Sequence, residues 1–214
     1  MGEVIWLAER REARRPRLRR RAPVRAEFFF DLACPFTYLA AERVDRAFGA
    51  VRWTAASTTA LRCGSLTSDP AALADVRAAA QARAAALRLP LVWPEGFPAE
   101  VPAAMRLAAY ACESGRGAAF ALAAGRLAFC GGFDLDEPEI LAEAAAAAGL
   151  PFDDCLAAAG DVRWDGAVEA AGRRLLAAGA DRLPALRVGR ALYWGEGQIS
   201  GAVAAARMQA AVVS

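Results

Sequence analysis

Phe28-Phe29-Phe30-Asp31-Leu32-Ala33-Cys34-Pro35-Phe36-Thr37-Tyr38-Leu39-Ala40 is the stretch on which the fold turns. A run of β-favouring aromatics gives way to a small residue and a cysteine, and a proline then opens a series of good helix formers. That order reads as strand, tight turn, helix. Cys34 stands at the junction as the expected N-cap, and Pro35 takes the first helical position, where its missing N–H costs nothing and its fixed φ suits the helix. The sulfur then faces unpaired backbone N–H groups and the positive end of the helix dipole, both of which favour thiolate. Thr37, one turn on, is placed to donate its hydroxyl to the same sulfur. Asp31 works the other way, since a nearby carboxylate opposes ionisation of a thiol.

Composition narrows the chemistry available to such a site. A chain of 214 residues that is 57% hydrophobic buries a sizeable core, read here as one domain with an insertion. A net charge of +2 gives little reason to expect nucleic acid, although nine arginines fall in the first 25 residues. Residues 1–25 therefore read as a basic, arginine-rich tail, either solvated or packed on the domain, with a basic arm for nucleic acid or acidic lipid as the sharper alternative. Val4 to Ala8 is too short for a signal-peptide apolar core, and no later stretch reaches membrane-spanning length uninterrupted.

The chain contains no histidine, lysine or asparagine. Without histidine there is no Ser-His-Asp or Cys-His relay and no imidazole ligand, acid or base. Thiol, hydroxyl, carboxylate, arginine and backbone groups must carry any reaction. The cysteines at 34, 63, 112, 130 and 155 show no metal-ligand spacing, so no metal is expected. Their odd number fits reduced thiols in a cytoplasmic protein, the last four as small buried hydrophobes.

Around the junction the elements alternate. Ala26 to Leu32 is the first expected strand, Pro35 to about Phe48 a helix, and Val51 to Ala55 a second, parallel strand. This is a βαβ unit that leaves Cys34 at a strand's carboxyl end, where open α/β sheets bind ligands. The polar loop from Ser57 to Asp69 follows and can wall the same pocket. Asp69 as cap and Pro70 as first residue begin a long helix to about Arg88. Helices follow at about 102–113, 116–129, 138–148, 152–159 and 165–178. Between the first two of these six helices, Leu89 to Pro98 reads as a loop ordered by packing. A strand at 183–188, a turn at Gly189-Arg190 and a strand at 191–194 then precede a last helix to about Met208. The domain reading is an α/β unit made of 26–60 and 161–214, with 61–160 as a helical insertion.

The segment Phe-Phe-Asp-Leu-Ala-Cys-Pro-Phe-Thr-Tyr-Leu-Ala resembles the active-site segment of the DsbA-like branch of the thioredoxin superfamily. Within that branch it is most similar to 2-hydroxychromene-2-carboxylate isomerases and kappa-class glutathione transferases, whose pattern runs Phe-Asp-x-x-Ser-Pro-Tyr-Ser-Tyr-Leu. The resemblance implies an α/β thioredoxin-like fold, βαβ plus ββα, with a large all-helical insertion. Cys34 stands where those enzymes carry serine and where disulfide oxidoreductases carry their first cysteine, while Thr37 occupies the second cysteine's place. The resemblance also implies a cis peptide at Leu183-Pro184 beside the reactive group. Trp194-Gly195-Glu196-Gly197-Gln198-Ile199 is similar to the family's Trp-Gly-Gln-Asp-Arg-Leu, the loop that holds the γ-glutamyl end of glutathione. The family's aspartate position is Gly197 here, and Glu196 is the available substitute.

Three functions follow from that resemblance. The first is a monothiol thiol-disulfide oxidoreductase with Cys34 and Thr37 catalytic and another thiol, Cys63 for example, resolving the mixed disulfide. The second is a glutathione-dependent isomerase or transferase in which Cys34 and Thr37 orient or activate a bound glutathione thiol. The third is a non-catalytic thioredoxin-fold binding protein. Pro35, Phe36, Leu183, Pro184, Gly195, Glu196 and Gln198 are the expected contacts to glutathione or to a thiol or disulfide substrate. Family members with glutathione chemistry tend to be dimers, so a homodimer belongs to the same expectation.

Overall fold

The structure, a computed structural model, describes residues 26–48, 50–61 and 69–212. The arginine-rich tail, Cys63 and the rest of segment 62–68 lie outside the described residues. The sheet has four strands in the order β2-β1-β3-β4. β1 (Ala26–Phe30) pairs in parallel with β2 (Val51–Ala55) and antiparallel with β3 (Ala185–Val188), which pairs antiparallel with β4 (Ala191–Trp194). The last two form a tight hairpin with Gly189 at φ +60° in the first turn position, which is where a type II′ turn demands glycine.

α1 (Pro35–Ala47) crosses between β1 and β2. Five further helices occupy 70–160: α2 (Pro70–Leu87), α3 (Pro102–Glu113), α4 (Gly117–Phe129), α5 (Pro138–Ala147) and α6 (Phe152–Gly160). α7 (Arg163–Ala177) leads back to the sheet, and α8 (Ile199–Val212) closes the chain. The local signals set most boundaries as read: Asp69 caps α2 by accepting from Ala71 N–H, and prolines open α1, α2, α3 and α5. Among the described residues two X–Pro bonds are cis, Leu183-Pro184, which the resemblance implied, and Phe97-Pro98, which nothing in the sequence marked.

Alternation along the strands divides the core. Phe28, Phe30, Trp53, Leu186 and Val188 face a large cluster that takes in Leu39 and Val44 of α1, Ile199 of α8 and the insertion helices. Phe29 and Ala185 point to the opposite face, against Ala171 and Leu175 of α7. The approach on that side is close: a Cβ added at Gly172 would lie 2.7 Å from Ala60 Cβ and 2.8 Å from Ser57 O. With both faces covered, the carboxyl end of β1 is the part of the sheet left for chemistry.

Cysteine placement departs from the expectation at one position. Cys155 is buried and Cys112 half-buried, its thiol pushed up to about 12 chiefly by burial. Cys130, read as a small buried hydrophobe, is exposed. It is the C-cap of α4, where the chain leaves the helix at the surface.

Candidate active site

Cys34 is the N-cap of α1, in extended backbone with φ −93° and ψ 116°. The residue is only 9% exposed. Its S–H donates to the carbonyl oxygen of Leu183, 3.9 Å away, so the residue before the cis proline is the sulfur's direct neighbour. Backbone N–H groups of Phe36 and Thr37 also reach the sulfur, as does the Thr37 hydroxyl. That hydroxyl accepts from Asp31 N–H at 3.3 Å, which leaves its own proton for Cys34.

Protonation is where the structure corrects the sequence reading. Burial pushes the Cys34 thiol up to about 11, the Asp31 charge adds to this, and the donors on α1 offset it only in part. Desolvation of the charged form outweighs the helix end. Cys34 is therefore a neutral S–H at neutral pH, not a ready thiolate. Asp31 is itself buried and firmly held: its carboxylate accepts from Ala33 N–H at 2.9 Å, Thr58 N–H at 2.9 Å and the Thr58 hydroxyl at 2.7 Å.

Glu196 is the second correction. Its side chain is 4% exposed and ion-pairs with Arg43 of α1 and Arg83 of α2, the second Arg83 contact being 3.0 Å. Arg43 also donates to Ser200 at 2.6 Å. Glu196 thus ties the start of the last helix to α1 and to α2, and its carboxylate is taken. It does not line the site as a substitute for the missing aspartate.

Among the described residues one hollow adjoins the Cys34 turn and another opens along β4 and the loop after it. In the first, Leu32 and Ala33 join Phe97, Val101, Phe129 and Leu135 around a narrow apolar cavity of about 20 Å³. α3 braces this wall, with Met105 Sδ accepting from Leu32 N–H at 3.3 Å. Behind it Arg77 lies over the rings of Trp93 and Phe97, 5.3 and 5.5 Å from their centroids. The second hollow is a cleft of about 560 Å³ lined by Arg182, Leu192, Tyr193, Trp194, Gly195, Gly197 and Gln198. Gly195 N–H donates to the Pro184 carbonyl at 2.8 Å, so the cleft begins beside the cis proline.

The expected site residues therefore separate into groups. Cys34, Thr37 and Leu183 meet directly around the sulfur; Pro35 is buried beneath it, and Phe36 contributes its N–H and packs against the core. Gly195 and Gln198 belong to the cleft, and Glu196 to the arginine pair. Thr58 belongs to the Ser57–Asp69 loop expected to wall the pocket, and the apolar wall with Met105 belongs to the run from the proline- and aromatic-rich loop at 89–98 into α3, although neither residue was expected as a site residue.

A family profile described as a DSBA-like thioredoxin domain matches residues 25–212. The chain belongs to the DsbA-like thioredoxin family. Family membership and the fold implied by the Cys-Pro-Phe-Thr segment thus stand together. Among solved structures, a 2-hydroxychromene-2-carboxylate isomerase is similar at TM-score 0.73 and 17% identity, over 88% of this chain and 98% of that one. A Streptomyces coelicolor protein described as a probable DsbA oxidoreductase is similar at TM-score 0.63 and 24% identity, over 87% and 89%. No curated protein matches the chain. Among the described residues of this DsbA-like protein, no helix is long and apolar enough to cross a membrane, and no group of three His, Cys, Asp or Glu side chains is placed to hold a metal.

Proposed function

We propose that this DsbA-like protein is a thiol-dependent isomerase or transferase in which Cys34, in its protonated form, donates a hydrogen bond to the sulfur of a co-bound thiol. The observation that carries this reading is the buried Cys34 sulfur 3.9 Å from the Leu183 carbonyl oxygen, with burial pushing its thiol up to about 11. Turned toward a ligand, the same S–H and the Thr37 hydroxyl lower the free energy of a bound thiolate. Such a thiolate adds to an electrophilic carbon, forming one C–S bond. In an isomerisation the bond then breaks, returning the thiol with no net redox change.

A second reading, disulfide exchange with Cys34 as nucleophile, is favoured by the presence of sulfur rather than oxygen at this position. It is slowed by the same proton. Relative to a thiol at 9.0, one at about 11 forms a hundredfold less thiolate at neutral pH, and its greater intrinsic nucleophilicity recovers only part. The net loss is roughly tenfold for a Brønsted coefficient of ~0.4–0.5.

Cys34→Ser and Cys34→Ala separate the two. Ultraviolet thiolate absorbance at neutral pH, recorded with a panel of thiols bearing peptide, nucleotide and sugar head groups, reports the thiolate formed on the protein. A hydrogen-bond donor survives as serine and is lost as alanine. If serine abolishes thiolate formation as fully as alanine does, and the unmodified protein rapidly forms a Cys34 adduct with hydroxyethyl disulfide, the nucleophile reading replaces this one.

A further inference from the structure

The cleft beside the cis proline has a chemistry of its own. None of its lining residues is acidic. Of the acids next to it in sequence, Glu196 is held by Arg43 and Arg83, and Asp181 pairs with Arg182 through contacts of 2.7 and 3.0 Å. A free ammonium brought into this cleft would meet no uncommitted carboxylate there, since Asp181 is held by Arg182 and also accepts from Trp194. An anionic head group finds a single arginine, Arg182, exposed to solvent and already paired with Asp181. What remains is neutral: the faces of Tyr193 and Trp194, the Gln198 amide, and the backbone of Gly195 and Gly197. Aromatic walls with a few polar groups suit an uncharged, hydrogen-bonding ligand.

From this lining, and resting on the donor reading of Cys34, we infer that the cleft seats the head group of the co-bound thiol. That head group is neutral and rich in hydroxyls or amides, and the zwitterionic γ-glutamyl end of glutathione is disfavoured. Glutathione is the co-substrate that the family resemblance implies, and this chain's residues do not fit it. Gly197 is the position that decides. A Cβ built there meets nothing within 4 Å and its φ lies outside the left-handed range, so an aspartate side chain fits without strain.

The test compares two ligands without a free thiol, S-methylglutathione and methyl thioglucoside, by calorimetry on the full chain. The unmodified protein is expected to bind the thioglucoside more tightly. Gly197→Asp is expected to tighten S-methylglutathione on the order of tenfold, the worth of one charge-assisted hydrogen bond. Gln198→Glu, nearly isosteric, supplies the carboxylate one residue along should Gly197→Asp fail to fold. Preference of the unmodified protein for S-methylglutathione, binding of neither ligand, or no tightening in either variant overturns the inference. Because neither ligand carries a thiol, such a failure falls on the head group alone, whereas failure of the donor reading appears in the Cys34 variants.

Discussion

The rate at which Cys34 is alkylated by iodoacetamide, followed by mass spectrometry of its peptide as a function of pH, tests the central electrostatic claim. With the thiol at about 11 rather than 9.0, the thiolate is destabilised by about 2.7 kcal/mol, taking ~1.36 kcal/mol per pH unit. Alkylation is therefore expected to be slow at neutral pH and to rise about tenfold for each pH unit to beyond pH 10, with Cys34→Ser as the blank. Two substitutions should move the curve in opposite senses. Asp31→Asn removes the charge that raises the thiol, and its single amide oxygen still accepts from Thr58 while the Ala33 N–H loses its acceptor, so its curve shifts to lower pH. Thr37→Val removes a donor to the sulfur, so its curve shifts higher. Burial is the largest cause and is untouched by either change, so Asp31→Asn should still titrate above an ordinary thiol. An alkylation curve for the unmodified protein that levels off at or below about pH 9 would refute the reasoning, because the helix end would then outweigh desolvation.

Alkaline pH should destabilise the fold, and the sign is set by the same group. The folded pKa is raised, so the unfolded chain ionises first; the Cys34 contribution is complete below about 9 and is lost as pH rises through about 11. Urea unfolding at pH 8 and pH 10.5 should show a loss that shrinks in Cys34→Ala. Glu196→Gln leaves Arg43 and Arg83 without their anion; since those arginines are 22% and 33% exposed and can recover water, about 2 kcal/mol is expected in urea unfolding, below the ~3–5 of a fully buried pair. Gly172→Ala forces a methyl against Ala60 and the Ser57 carbonyl and should cost ~1–3 kcal/mol, read as a drop in thermal midpoint. A neutral effect there would mean that α7 can withdraw from the sheet.

The strand, turn and helix around Cys34 could be read directly because their causes are contiguous. Aromatic β-formers, a capping position and a proline at N1 act within a few residues, and so do the Asp69-Pro70 start of α2 and the glycine of the β3–β4 turn. Resemblance carried the reading across the chain to Leu183 and Pro184, and the fold brings Leu183 O to the sulfur. The behaviour of that sulfur was a different matter. From local order alone Cys34 faced a helix end and looked like a thiolate. Burial made it a neutral thiol, adding to the opposition from Asp31 that the sequence already showed, and burial depends on which surfaces meet after folding. Glu196 shows the same division: its place in a Trp-Gly loop was plain, but its partners lie 153 and 113 residues away. Backbone propensity is a property of neighbours in sequence, so the chain by itself determined the elements and the position of the sulfur. Desolvation and ion pairing are properties of neighbours in space, so only the tertiary structure decided that Cys34 keeps its proton, that Glu196 is spent on two arginines, and that the cleft beside them has no acid.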